Sequence, residues 1–381
     1  MAAILAVVIV LLIHGSLYPW KFVARDLPAS PLYILFHSWD ADLRQPRVLA
    51  DIAINLVIYM PLGWTAYLFL RRLPSNVLRV LLPVLLGASL SATLEMLQLF
   101  EPSRNCSSVD WLNNTLGTAL GVAAGAAFRR ILPGPQTQDR GAMALLVCGI
   151  AYLIFPLFPI LHGDQLAARA LAYLQPSLIT PVAVLTPFAA WFAAGQLLLF
   201  AGVRRPLVWL SILLCLQPLQ VAIMGRTPTV AGLAGGILAL LLFAFGGRMP
   251  QAARVSAILV LLAITVEGLS PFSFAAPHPF VWIPFSGLLN TPQQTAFILF
   301  LRKLFLYGTA VWMLHACGLG RGLSFVPAGA AVTILLASIE LLQTRIPPHV
   351  AEITDPLLAV LCALAFSTLA RHRAKPACLA R

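Results

Sequence analysis

Apolar runs of bilayer-spanning length recur from one end of this chain to the other, and little else can be made from such a sequence than a helical membrane protein. A helix needs about 20 predominantly apolar residues to cross the hydrocarbon core. Twelve such spans can be drawn, at 2–18, 52–70, 79–99, 110–128, 142–161, 185–202, 206–224, 229–246, 254–270, 296–317, 324–342 and 354–370. Only 10% of the 381 residues are charged, against about 25% in soluble domains. The expected fold class is therefore an all-α polytopic membrane protein with about 12 transmembrane helices. The first run, Ala2 to Ile13, lacks a basic flank and continues as a span, so it does not read as a cleavable signal.

The net charge of +12 invites a nucleic-acid reading, but the basic residues flank apolar helices and belong to topology instead. With the N-terminus inside, 15 Lys and Arg fall in the inner loops and tail and 10 on the outer side, and the inner loops are shorter. Both termini are then expected in the cytoplasm of a cell inner or plasma membrane. Of the 13 acids only Asp139 falls inside, so any acidic chemistry belongs outside. The longer outer segments carry SLYPWKF at 16–22, FPLFPIL at 155–161 and SPFSFAAPHPFVWIPF at 270–285. Their aromatics and prolines suit re-entrant or surface segments at the membrane interface. No two of the six cysteines have metal-type spacing, so they read as packing residues, with no metal and no cofactor expected.

The segment from Glu95 to Gly117, EMLQLFEPSRNCSSVDWLNNTLG, breaks the apolar pattern. Ionisable groups are costly at membrane depth, so such a cluster is a candidate site. Glu95 and Gln98 share one helix face, as do Asp51 and Asn55. With Arg104, Asp110, Asn113 and Asn114 they predict one outer polar pocket, with Arg44 or Arg47 as further counter-charges and Arg104 as the simplest partner of Glu95. The plainer reading stands beside this. Asp110, Asp51 and Asp355 suit helix caps or first-turn acids, and Asn113 and Asn114 suit helix–helix hydrogen bonds. Gly117, Gly121 and Gly125 form a small-residue ridge that predicts close helix packing. Glu267 has Arg302 or Lys303 as candidate partners, and His14 and His315 read as core histidines.

The stretch has echoes. EMLQ at 95–98 returns as QPLQ at 217–220 and ELLQ at 340–343, and Asp355 follows Glu340 by the same 15 residues that separate Asp110 from Glu95. Three parallel four-helix units follow, at 1–135, 136–250 and 251–381. The third keeps Glu340, Gln343 and Asp355, with Leu358 and Ala359 where the first has Asn113 and Asn114. The middle one has lost both acids and reads as structural.

Asp51-x3-Asn55, Pro61-Leu62-Gly63, Glu95-x2-Gln98, Arg104 and Asp110-x2-Asn113-Asn114-Thr115-Leu116-Gly117 together resemble the VanZ-like domain over about 1–130. That family is named for a membrane protein associated with teicoplanin resistance. Residues 251–370 look like a second, degenerate copy through Pro284, Tyr307-Gly308, Glu340-x2-Gln343 and Asp355. The resemblance implies a bacterial, envelope-linked membrane protein and names no reaction. A non-enzymatic role is expected, in which the outer pocket binds a lipid-linked envelope precursor, a membrane lipid or a membrane-protein partner. A transporter or flippase, or an enzyme acting on an envelope lipid with Glu95 or Asp110 as acid or base, are the alternatives. A transporter should carry polar residues at the midplane, whereas here they cluster at outer helix ends. An enzyme should show a nucleophile or metal motif, and none of the familiar ones occurs.

Overall fold

The computed structural model describes the chain except residues 1, 40–44, 71–72, 132–138, 156–159, 161–162, 176–178, 224, 319–323 and 372–381. Arg44, Arg71, Arg72, Arg321 and the basic tail lie outside the described residues, as does the side chain of Arg47. The elements are α1 (Ala2–Leu17), α2 (Pro31–His37), α3 (Pro46–Phe69), α4 (Asn76–Gln98), α5 (Ser108–Ile131), α6 (Arg140–Ile154), α7 (Gly163–Tyr173), α8 (Pro181–Phe200), α9 (Pro206–Cys215), a 3-10 turn (Pro218–Ala222), α10 (Val230–Gly246), α11 (Ala252–Leu269), α12 (Ser286–Leu289), α13 (Gln293–Ala316), α14 (Val326–Gln343) and α15 (Thr354–Arg371). Among the described residues there is no strand beyond an isolated bridge between Val281 and Glu352.

Among the described residues six helices, α3, α4, α8, α11, α13 and α14, are long and apolar enough to cross a membrane, and five further apolar stretches are shorter. Local chemistry shortens the expected spans. The run at 142–161 ends at Ile154 because Phe155 precedes a proline and is held extended. The run at 206–224 breaks after Cys215, since Pro218 cannot donate to the helix, and continues as the 3-10 turn. Helix starts follow capping rules: Ser75, Thr180 and Thr229 each accept the N–H three residues on. The three short helices α2, α7 and α12 occupy the longer loops between α1 and α3, α6 and α8, and α11 and α13.

The chain divides into two compact units, Met1–Gly134 and Pro135–Arg381. In the first, α1 buries Leu12 against Tyr59 and Leu62 of α3. The helices α3 and α5 pack closest, because glycines let the backbones touch. A Cβ on Gly63 would lie 1.9 Å from the Thr118 carbonyl oxygen, and one on Gly121 would lie 2.0 Å from that of Met60. In the second unit α13 is the central helix, packed on α6, α11, α14 and α15, while α8 packs against α10 and α11.

Candidate functional site

In the first unit the polar residues gather where α1 and α4 end and α5 begins. Helix ends leave four carbonyls without partners, and these need satisfying in an apolar setting. Gln98 Nε2 donates to the Ser16 carbonyl at 3.0 Å. The Arg104 guanidinium donates to the Gly15 and Tyr18 carbonyls, each at 3.3 Å. Both side chains therefore finish α1, and a cation there also suits the helix dipole.

Glu95 is buried, with 4% of its surface exposed, and its carboxylate accepts the backbone N–H of Ser107 at 2.9 Å. The expected Glu95–Arg104 ion pair is not formed among the described residues. Arg104 is within electrostatic reach of Glu95, but its hydrogen bonds go to carbonyls. Asp110 is not the cap of α5. Ser107 is, accepting the Asp110 N–H at 3.2 Å. In a capping box the acid at the third position would reach back to the cap's own N–H. Here Glu95 takes that N–H, which leaves the Asp110 carboxylate to accept from Asn55 Nδ2 at 2.8 Å. Asp51, one turn before Asn55, lies within electrostatic reach of Asp110. Asn114 Nδ2 donates to Ser91 Oγ at 3.0 Å, while Asn114 Oδ1 and Asn113 Nδ2 are buried without a hydrogen-bond partner among the described residues.

Tyr59 carries no polar-cluster signal in the sequence, and Glu101, though inside the Glu95–Gly117 segment, is not among the predicted pocket residues. Tyr59, buried at 3% exposure, lies within electrostatic reach of both Glu95 and Asp110. Glu101, at 1%, accepts from the Ser103 hydroxyl at 2.6 Å and so braces the link after α4. The tyrosine's only cue is its position one turn after Asn55 on the same face of α3. Glu101 sits in a loop, where spacing carries no information.

Cys106 lies half-buried in that link. Burial, then the Glu95 and Asp110 carboxylates, push its thiol up to about 11 from an ordinary 9.0. A raised thiol holds little thiolate below that value, and the thiolate is the nucleophile. Maleimide labelling of Cys106 is therefore expected to be slow at pH 7.5, to rise continuously to pH 10, and to be faster in Glu95→Gln. A flat pH profile would contradict this placement.

In the second unit Glu340 accepts the backbone N–H of Glu352 at 2.7 Å, again 12 residues on, and Gln343 Nε2 donates to the Gly268 carbonyl at 2.8 Å. Asp355 is held differently from Asp110. Lys303 holds one oxygen at 2.6 Å, and the Tyr307 hydroxyl donates to the other at 2.5 Å. Arg345 makes no ion pair with Glu340 among the described residues, and Lys303 is the cation within electrostatic reach. Glu267 pairs with Arg302 at 2.5 Å. No group of three or more His, Cys, Asp or Glu among the described residues is arranged to hold a metal ion.

Units of apolar helices with buried polar clusters at the helix ends define a multi-pass membrane protein. Within it, residues 1–129 match the VanZ/LLP1 family model, consistent with a VanZ-like domain over that stretch. Comparisons with curated proteins and with solved structures return no match.

Proposed function

We propose that this chain is a non-enzymatic membrane protein of the cell envelope whose first unit binds the hydroxyl-rich head of a lipid-linked envelope precursor. One observation carries the reading. Asn113 Nδ2 and Asn114 Oδ1 are buried and unpartnered among the described residues, within one helical turn of the Asp110 carboxylate. Native proteins rarely leave such atoms unsatisfied. A spare donor and a spare acceptor beside carboxylates match sugar hydroxyls, which both give and accept hydrogen bonds. The site faces the extracytoplasmic side, with both termini cytoplasmic.

Three units related by sequence offset organise the chain in this reading. Gln98, Gln220 and Gln343 each donate to a carbonyl in the last turn of α1, α6 and α11, at Ser16, Leu153 and Gly268. Backbone N–H groups of Val23, Ile160 and Ala275 donate to the carbonyls of Phe100, Ala222 and Arg345. The offsets match throughout: 137 then 115 residues for the first partners, 122 then 123 for the second. Arg104 and His349 likewise meet the carbonyls of Tyr18 and Ser270. Such agreement between bonds supports a triplicated unit in which only the first copy keeps the full polar set.

Binding of a lipid-linked disaccharide to the purified protein, followed by thermal shift, tests the function. Asn113→Leu and Asp110→Asn are each expected to weaken it about tenfold, the equivalent of about 1.4 kcal/mol, and to leave the ligand's mass unaltered. Undiminished binding in both variants, or chemical conversion of the ligand, overturns the reading. Labelling of Cys106 from one face of sealed vesicles reports the orientation.

A further inference from the structure

The second unit holds a cavity of about 550 Å³ between α6, α8, α11, α13 and the turn from α9 to α10. That falls in the range of about 300–1,000 Å³ used for small-molecule sites. Its two ends differ in chemistry. Leu146, Gly149, Trp191, Ala194 and Phe305 line one end from the interiors of their helices. Gln217, Arg226, Thr229 and Glu267 line the other, where α6, α9 and α11 end and α8 and α10 begin, and Arg302 reaches Glu267 there from within α13.

The polar end is built but incomplete. Glu267 is already engaged, by Arg302 at 2.5 Å and by the Thr186 hydroxyl at 3.0 Å, so that ion pair is neutral as a whole. Arg226 is 5% exposed. Its guanidinium stacks over the Tyr152 ring at 4.5 Å, and its Nε is buried with no acceptor among the described residues. Gln217, at 7% exposure, has an unpartnered Oε1. Arg169 is a second cation close by, its guanidinium donating to the carbonyls of Val221, Ile223 and Arg226. A buried guanidinium with an open donor costs free energy unless an anion meets it. Gly232 keeps the end open, since a Cβ there would lie 2.6 Å from Gln217 Nε2.

We propose that this cavity binds an acyl-chain amphiphile with a phosphate monoester head: the phosphoryl oxygens meet Arg226, a P–OH or neighbouring hydroxyl donates to Gln217 Oε1, and the chain fills the apolar end. Guanidinium is the side chain best matched to phosphate oxygens, and a net positive charge at the polar end suits a head with net negative charge. The cavity belongs to the second unit and takes an anionic head, whereas the acidic cluster of the first unit is read as meeting sugar hydroxyls.

Full-length protein in a non-ionic detergent, titrated with short-chain phosphatidic acid and read by native mass spectrometry, tests this. One phosphatidic acid per chain is expected. Phosphatidylcholine with the same chains should bind about tenfold more weakly, and an excess of inorganic phosphate should not displace the bound lipid. Arg226→Gln removes the head contact and Ala190→Phe fills the cavity beneath it, and each should lower occupancy about tenfold (about 1.4 kcal/mol). If Arg226→Gln fails to fold, Ala190→Phe decides. Equal binding of the two lipids, full displacement by inorganic phosphate, or unchanged occupancy in the folded variants overturns the proposal.

Discussion

Gly121→Leu is expected to abolish folding of the first unit. The cause is contact between backbones: Cβ atoms added at Gly117 and Gly121 of α5 would lie 2.3 and 2.0 Å from the carbonyl oxygens of Leu56 and Met60, and one at Gly63 of α3 would lie 1.9 Å from that of Thr118. A side chain cannot rotate away from a main-chain carbonyl, so α3 and α5 must separate. Overpacking of a core costs about 1–3 kcal/mol where side chains yield, and here the whole interface is lost with it. The Asn55–Asp110 bond spans these two helices, so the polar cluster goes too. Gly125→Ala is the contrast, since its Cβ would meet a Tyr67 ring atom at 3.1 Å, and a ring has room to shift. Thermal unfolding and yield of the purified protein separate the two. If Gly121→Leu melts like Gly125→Ala, helix contact through glycine is not what holds this unit together.

Asp355→Ala is expected to cost the second unit about 3 kcal/mol, by stranding Lys303 and the Tyr307 hydroxyl. Removing one partner of a buried ion pair costs about 3–5 kcal/mol, and the lower figure applies because 28% of the Lys303 side chain is exposed. For a domain of this size that is a fall in Tm of roughly 6–12 °C. The double variant Lys303→Met with Asp355→Leu should recover most of it, because neither charge is then left alone in an apolar surround. Recovery absent from the double variant would mean that the pair is not the stabilising feature.

The same comparison shows why the acids of the two units differ in prospect. Asp355 is closed off by a lysine and a tyrosine. Asp110 has a neutral asparagine from α3 as its side-chain partner, where Asp355 has a lysine from α13. That Asn55 and Lys303 are the respective partners of Asp110 and Asp355 is not visible in the sequence, because no motif in α3 or α13 marks which residue meets the acid.

Prolines cut two of the expected spans short, and proline is legible anywhere. Less legible was the use of each polar group. Gln98 and Arg104 looked like pocket residues, yet both serve the carbonyls that end α1, some 80 residues earlier in the chain. Glu95 looked like half of an ion pair and instead holds a loop N–H. The middle stretch, which had lost its acids and read as structural, lines the cavity with Arg226 and Gln217.

Apolar run length, proline position and the glycine ridge at 117, 121 and 125 determined by themselves that this is a helical membrane protein, where its helices break, and which helix face packs closest. Those properties depend on backbone length and on steric rules that act between near neighbours in the chain. Which hydrogen bonds the polar side chains make was decided only by the tertiary structure. Each carboxylate, amide and guanidinium had several acceptors or donors of equal chemistry within the sequence, and only the tertiary fold brings one of them to hydrogen-bonding distance.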